Sequence, residues 1–185
     1  YLDILKKIKD EKNIEITVEL GLQSVNERTL KKINRGHGVA EYIDAMLMLH
    51  KYGFKSCTHI IANLPWDDME DVINAAKIIS ALKTDFVKLH ALYIVDGTVM
   101  AEQYKICEFE ICTCDEYKQR VIAFLRYLSP DIWVQRLIGR VPEENSLFAN
   151  WGRSWWAIRD EIEEFMNENK LCQGDLFNYL GGSAV

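Results

Sequence analysis

Residues 14–22 alternate strictly. Ile14, Ile16, Val18, Leu20 and Leu22 fall on one face, and Glu15, Thr17, Glu19, Gly21 and Gln23 on the other. Period-two alternation predicts a strand with one apolar and one polar side. Two further strands are predicted at 55–63 and 86–95, each separated from the last by helical periodicity. Helices are expected at 25–34, opened by a Ser24-x-x-Glu27 capping box, at about 40–52, and at 68–83 with Asp67 or Asp68 as the cap. On the second of these, Ile43, Met46, Leu47 and His50 share a stripe, which makes His50 a core histidine. Connections of this length require parallel crossovers, so the order β–α–β–α–β reads as an α/β fold.

Parallel strands covered on both faces are continuous apolar runs. These three are not. Glu19 and Gln23, His59 and Asn63, and Lys88 and His90 are each spaced by an even number, so each pair points one way. In a β/α barrel that direction is the lumen, and ligands sit at the carboxyl ends of the strands. Solvated strand faces explain one such pair more easily than three in a row.

After residue 97 the pattern predicts a helix at about 115–128 behind a Thr113-x-x-Glu116 capping box, a strand at 132–138 and a helix at 153–168. Arg136 inside that strand either pairs with a carboxylate or lines a site. Trp151, Trp155 and Trp156 read as core-sealing, and His37, between Gly36 and Gly38, as structural or exposed. The chain divides into β/α units over 1–97, an extension over 98–170 and a glycine-rich tail over 171–185, the last expected to be only partly ordered.

The formal charge is −6, all of it contributed by residues 93–185, where 9 basic face 15 acidic side chains. That excludes a basic footprint for nonspecific duplex binding and favours a small molecule over RNA. No apolar run is long enough to cross a membrane. Five cysteines without a secretory leader suggest a reducing cytoplasm. Cys112-Thr113-Cys114 reads as two ordinary thiols at a helix start.

Glu19-Leu20-Gly21-Leu22-Gln23-Ser24, followed by Thr29 through His37, resembles the middle of radical S-adenosylmethionine enzymes. The similarity is greatest to uncharacterised bacterial Fe–S oxidoreductases related to oxygen-independent coproporphyrinogen oxidase and the Elongator catalytic subunit. It continues through His59–Pro65, Val87–His90, Asp96–Thr98, Val134–Gly139 and Asn150-Trp151. The resemblance implies a partial (β/α) barrel, S-adenosylmethionine and a [4Fe–4S] cluster as cofactors, an electron donor as partner, and a 5′-deoxyadenosyl radical for hydrogen abstraction. It assigns Gln23, Arg35, Glu19, His59, Ile61 and Asn63 to the cofactor, with Arg35 on the methionine carboxylate. Lys88, His90 and Arg136 are left for the substrate.

Two departures stand out. Asn63 and Trp66 occupy positions where the family carries glycine, which threatens to crowd the backbone. The C-x3-C-x2-C loop that holds the cluster is absent from this sequence. The reading is a truncated barrel, inactive by itself, with an unpaired strand edge that favours self-association. A non-catalytic remnant that binds a metabolite or partner is the alternative.

Overall fold

In the computed structural model, which describes residues 1–141 and 145–179, four strands form one parallel sheet. The chain enters through α1 (Leu2–Lys12) and then builds β1 (Thr17–Gln23), α2 (Glu27–Lys32), α3 (Val39–Tyr52), β2 (Lys55–Ile61), α4 (Met69–Ala81) and β3 (Phe86–His90). There follow β4 (Tyr93–Val95), α5 (Val99–Lys105), α6 (Cys114–Tyr127), β5 (Trp133–Arg136), β6 (Ser146–Ala149) and α7 (Trp155–Glu168). The sheet order is β1-β2-β3-β5, all parallel, while β4 and β6 form a separate antiparallel pair. This is the α/β architecture expected, an arc of a β/α barrel.

One face of the sheet is sealed by helices. Leu22, Ile60, Val87 and Leu89 join Met46 of α3, Val72, Ala76 and Ile79 of α4, Tyr117 and Phe124 of α6 and Ile158 of α7 in a single buried cluster. Two polar side chains of β2 also point into this layer, Ser56 and Thr58. Both are paired: Thr58 Oγ1 lies 2.6 Å from Tyr42 Oη and 3.0 Å from Thr84 Oγ1, and Ser56 Oγ lies 3.1 Å from Thr84 Oγ1. A buried hydroxyl so satisfied costs little.

Several expectations change here. The buried stripe of α3 is Tyr42, Met46 and Leu49, so His50 is exposed and not a core residue, and Leu47 is exposed as well. The cap of α2 is Asn26, whose Oδ1 accepts from Arg28 and Thr29; Ser24 is buried, and its Oγ accepts from Asn26 N. Glu27 turns away instead and accepts from Val39 N. The caps at Asp68 and Thr113 stand as read. Trp151 is half-buried and donates Nε1–H to Cys112 O, whereas Trp156 is exposed. Tail residues 174–179 pack on α6, with Asp175 paired to Arg126; the expectation for 180–185 lies outside the described residues.

The third strand is not continuous from 86 to 95. Asn63 explains the break. It lies past the end of β2, fully buried, and its Oδ1 accepts from Leu92 N at 2.6 Å. That N–H is thereby withdrawn from the ladder, and the chain turns into β4. Trp66, the other departure, meets Phe109 edge-on at 5.3 Å and lies beneath the Lys32 ammonium at 4.6 Å. A second cluster of Leu64, Leu92, Ile94, Ala101 and Phe109 thus absorbs the bulk expected to crowd the turn.

Asn63→Ala leaves Leu92 N–H buried without its acceptor. The expected loss is about 1–3 kcal/mol of unfolding free energy, read by urea denaturation; an unchanged midpoint would mean that the turn finds another acceptor.

Candidate functional site

The other face of the sheet is open and polar. Register places Gly21 beside His59, His59 beside Lys88, Ile61 beside His90 and Lys88 beside Arg136. Arg136 reaches this face through an irregularity. Val87 pairs with Val134 and Lys88 with Arg136, so one extra residue, Gln135, is inserted in β5. With strict alternation from Trp133, Arg136 would fall on the helix-covered side; the bulge re-aims it.

Across the four strands these side chains form one row. Glu19 Oε1 accepts from Lys88 Nζ at 2.5 Å, and its Oε2 lies 2.8 Å from His59 Nε2. His59 Nδ1 lies 3.2 Å from His90 Nε2, the two rings stacked at 5.1 Å. Arg136 Nη2 lies 3.0 Å from His90 Nδ1 and 2.6 Å from its Nε2. The ends of the row set the direction of donation, because a guanidinium only donates and a carboxylate only accepts. Arg136 Nη2 therefore donates to the His90 ring, and His59 Nε2–H donates to Glu19.

Electrostatics keep both rings neutral. Two cations, Lys88 and Arg136, face a single carboxylate. Burial, then Arg136, His59 and Lys88, lower His90 from 6.5 to about 4. Burial is also the largest cause of the lowered value at His59, and it outweighs the hydrogen bond to Glu19. The Lys88 ammonium leads the causes that hold Glu19 below the usual carboxylate range.

A second group gathers at the carboxyl end of β1. Gly21 O accepts from Arg35 Nε at 3.1 Å and Nη2 at 2.6 Å, and His37 Nε2 lies 3.2 Å away. Gln23 takes a left-handed φ of 68° at a second irregularity in pairing. A Cβ on Gly21 would meet Gln23 Nε2 at 2.4 Å and Arg35 Nη2 at 2.7 Å. Glycine is therefore what lets the amide and the guanidinium lie over this backbone.

The structure thus brings Glu19, His59, Lys88, His90 and Arg136 together and places Gln23 and Arg35 at the adjoining rim. Ile61 packs against the second cluster. Asn63 does not share the direction of His59, as the alternation implied, because the strand ends at Ile61. Cys57 is the residue the sequence reading passed over. It is buried two positions before His59 on the same face, and its Sγ lies 3.7 Å from Gln135 Oε1. Even spacing from His59 was the available signal.

Glu19, Cys57 and His59 set a carboxylate oxygen, a thiol and a ring nitrogen within 4.8 Å of one another, a donor set that suits zinc. The surroundings oppose it. Both Glu19 oxygens are engaged, burial raises the Cys57 thiol, and a dication would sit beside two cations. Among the described residues this is the one such grouping, so the five cysteines gather no cluster-binding triad.

Residues 1–79 match the radical SAM superfamily, and residues 84–168 match the radical SAM C-terminal domain. The chain belongs to the radical SAM superfamily. It is 34% identical over 177 residues to the uncharacterized protein MJ0486 of Methanocaldococcus jannaschii, covering 95% of this chain and 55% of that protein. It is also 34% identical over 163 residues to the uncharacterized protein YtqA of Bacillus subtilis, covering 88% and 51%. The chain therefore spans about half the length of these curated relatives. Among solved structures, an N-terminally truncated Elp3 from the archaeon Methanocaldococcus infernus superposes with a TM-score of 0.75 at 21% identity, over 92% of this chain and 40% of that one. That likeness shows the fold. No helix among the described residues is long and apolar enough to cross a membrane.

The depressed histidines give a pH signature. A base whose pKa falls on folding adds stability that is complete above its unfolded value of 6.5 and is lost as pH falls toward about 4. His90 imidazole ¹⁵N shifts are expected to stay at neutral-form values at pH 5 and to move only near 4, and His90→Gln to flatten the fall in urea stability across that window. Titration near 6.5 would contradict the cationic field at His90.

Proposed function

We propose that the open face of β1, β2 and β3 binds S-adenosylmethionine, as part of a radical SAM oxidoreductase acting on a small molecule. One observation carries the reading: Gln23 and Arg35 converge over the bare Cα of Gly21, at the carboxyl end of a strand whose neighbours present His59 and Lys88. Arg35 spends two N–H groups on a backbone carbonyl and keeps the others. A guanidinium with unspent donors suits a carboxylate, in this reading that of the methionyl group. Gln23 supplies an amide that can donate and accept to the same ligand or its ribose. His59 and Ile61 form the floor against which adenosine lies, with Glu19 orienting His59 through its Nε2–H. Asn63 is a positioning residue here, since it fixes the turn beyond β2.

The cofactor fits the residues of this chain; the cluster does not, because no three thiols come together. Reductive cleavage is the chemistry that cluster and cofactor supply when bound. This chain's part is to hold the cofactor by Arg35 and Gln23 and to present Lys88, His90 and Arg136 to a substrate alongside it. The electron donor, a cytoplasmic location and inactivity of these residues in isolation belong to the same proposal. A non-catalytic metabolite-binding role is the competing reading.

The gene-length protein, reconstituted anaerobically with iron and sulfide, is expected to release 5′-deoxyadenosine under reduction. Arg35→Gln should raise the KM for S-adenosylmethionine by at least about tenfold, in line with loss of a charge-assisted pair of about 1.5–3 kcal/mol. Gly21→Ala should do likewise with near-normal thermal stability, since its Cβ displaces only side-chain ends. A reconstituted cluster without any cleavage would leave the binding role standing and reject the enzymatic one.

A further inference from the structure

The guanidinium of Arg136 lacks a charged partner. Among the described residues no carboxylate lies within ion-pair distance, and its recorded contact is with the neutral ring of His90. Its Nε–H is buried with no acceptor at all. A buried donor left unpaired is costly and calls for an explanation. The usual ones fail here: the residue is not capping a helix, and the strand carries a bulge whose effect is to aim it at this face.

The surrounding charge points the same way. Lys88 and Arg136 carry two positive charges and Glu19 one negative, while His59 and His90 are held neutral. The patch is therefore net cationic in a chain whose overall charge is −6. Such local excess is the opposite of what self-pairing would leave. Arg136 also borders a cavity of about 610 Å³ along the β5 edge, lined by Leu125 of α6 and by Trp155 and Arg159 of α7 and separate from Lys88, His59 and His90. Glu163 is the acid on its lining, and it does not reach Arg136.

We propose that Arg136, supported by Lys88 and the His59–His90 pair, is the recognition site for an anionic group, a carboxylate or a phosphate, carried by the small-molecule substrate. This rests on the reading of the open face as a substrate and cofactor wall, and it deepens that reading by naming the substrate's charge. The fork of Arg136 offers Nε–H and a terminal N–H to two oxygens of one planar carboxylate or of a phosphate. The neutral histidines fit the role. An extra proton on His90 would set a second cation against Arg136 and remove the acceptor that its guanidinium now uses. Lys88 contributes long-range attraction while it remains tied to Glu19.

The test needs neither cluster nor turnover. Imidazole ¹⁵N and ¹H shifts of His59 and His90 in the 185-residue chain are followed at neutral pH during separate titrations with inorganic phosphate and with malonate. Saturable shifts are expected in at least one titration, with a Kd on the order of 1 mM; the tighter of the two identifies the group. Arg136→Gln should weaken binding at least tenfold, Arg136→Lys should weaken it less, and Lys105→Gln, a change at an exposed ion pair elsewhere, should leave it unaltered. Unsaturable shifts with both anions would overturn the proposal. So would binding that survives in both Arg136 variants, or that is lost in Arg35→Gln and retained in Arg136→Gln. These outcomes are separate from cofactor cleavage, so the anion site can fail while S-adenosylmethionine binding stands, and the reverse.

Discussion

The constraint behind this structure is a parallel sheet sealed on one side and polar on the other, stitched along its polar side by a row of side chains from every strand. Glu19 of β1, His59 of β2, Lys88 and His90 of β3 and Arg136 of β5 are linked by contacts of 2.5–3.2 Å. Ionisable groups on buried strands are costly when unpaired. Linked in this way, they cross the whole sheet with the cost confined to one end, at the guanidinium. The histidines matter because they join the two ends through a stacked, neutral pair without adding charge.

Local backbone features at both edges serve that row. In β5 an inserted residue turns Arg136 toward Lys88, and in β1 an irregularity at Gly21 and Gln23 sets the rim where Arg35 arrives. The helix-covered side makes these departures affordable, since Leu22, Ile60, Val87 and Leu89 lock the strands from behind. The proposed site thus lies where the ladder is irregular, and the buried cluster that locks the strands lies where it is regular.

Much of this was legible in the chain. Strict alternation over 14–22 announced a two-faced strand, and even spacing gathered Glu19, His59, Lys88 and His90 on one side. What escaped had physical causes. The run 86–95 carries β-forming residues to its end and contains no proline or glycine, so nothing local marks its break; the cause is Asn63, distant in sequence, taking Leu92 N–H. His50 sits one helical position off the buried stripe, an error of phase and not of type. Asn26 displaced Ser24 as the cap because both carry capping side chains two residues apart. Periodicity cannot see a bulge, so the alternation left Arg136 open as paired or as site-lining; the inserted residue in β5 turns it toward Lys88, with no carboxylate pair among the described residues. Cys57 was hidden by its own apolar character.

The central claim is that this polar face is a wall built for a ligand and not a solvated surface. A crystal structure of the chain grown with S-adenosylhomocysteine tests it most directly. The account predicts the ligand lying across the carboxyl ends of β1 and β2, its amino-acid carboxylate on Arg35 and its adenosine over His59. A ligand seated among the helices on the opposite side, or a face covered by side chains of its own molecule with no room for the nucleoside, would contradict it.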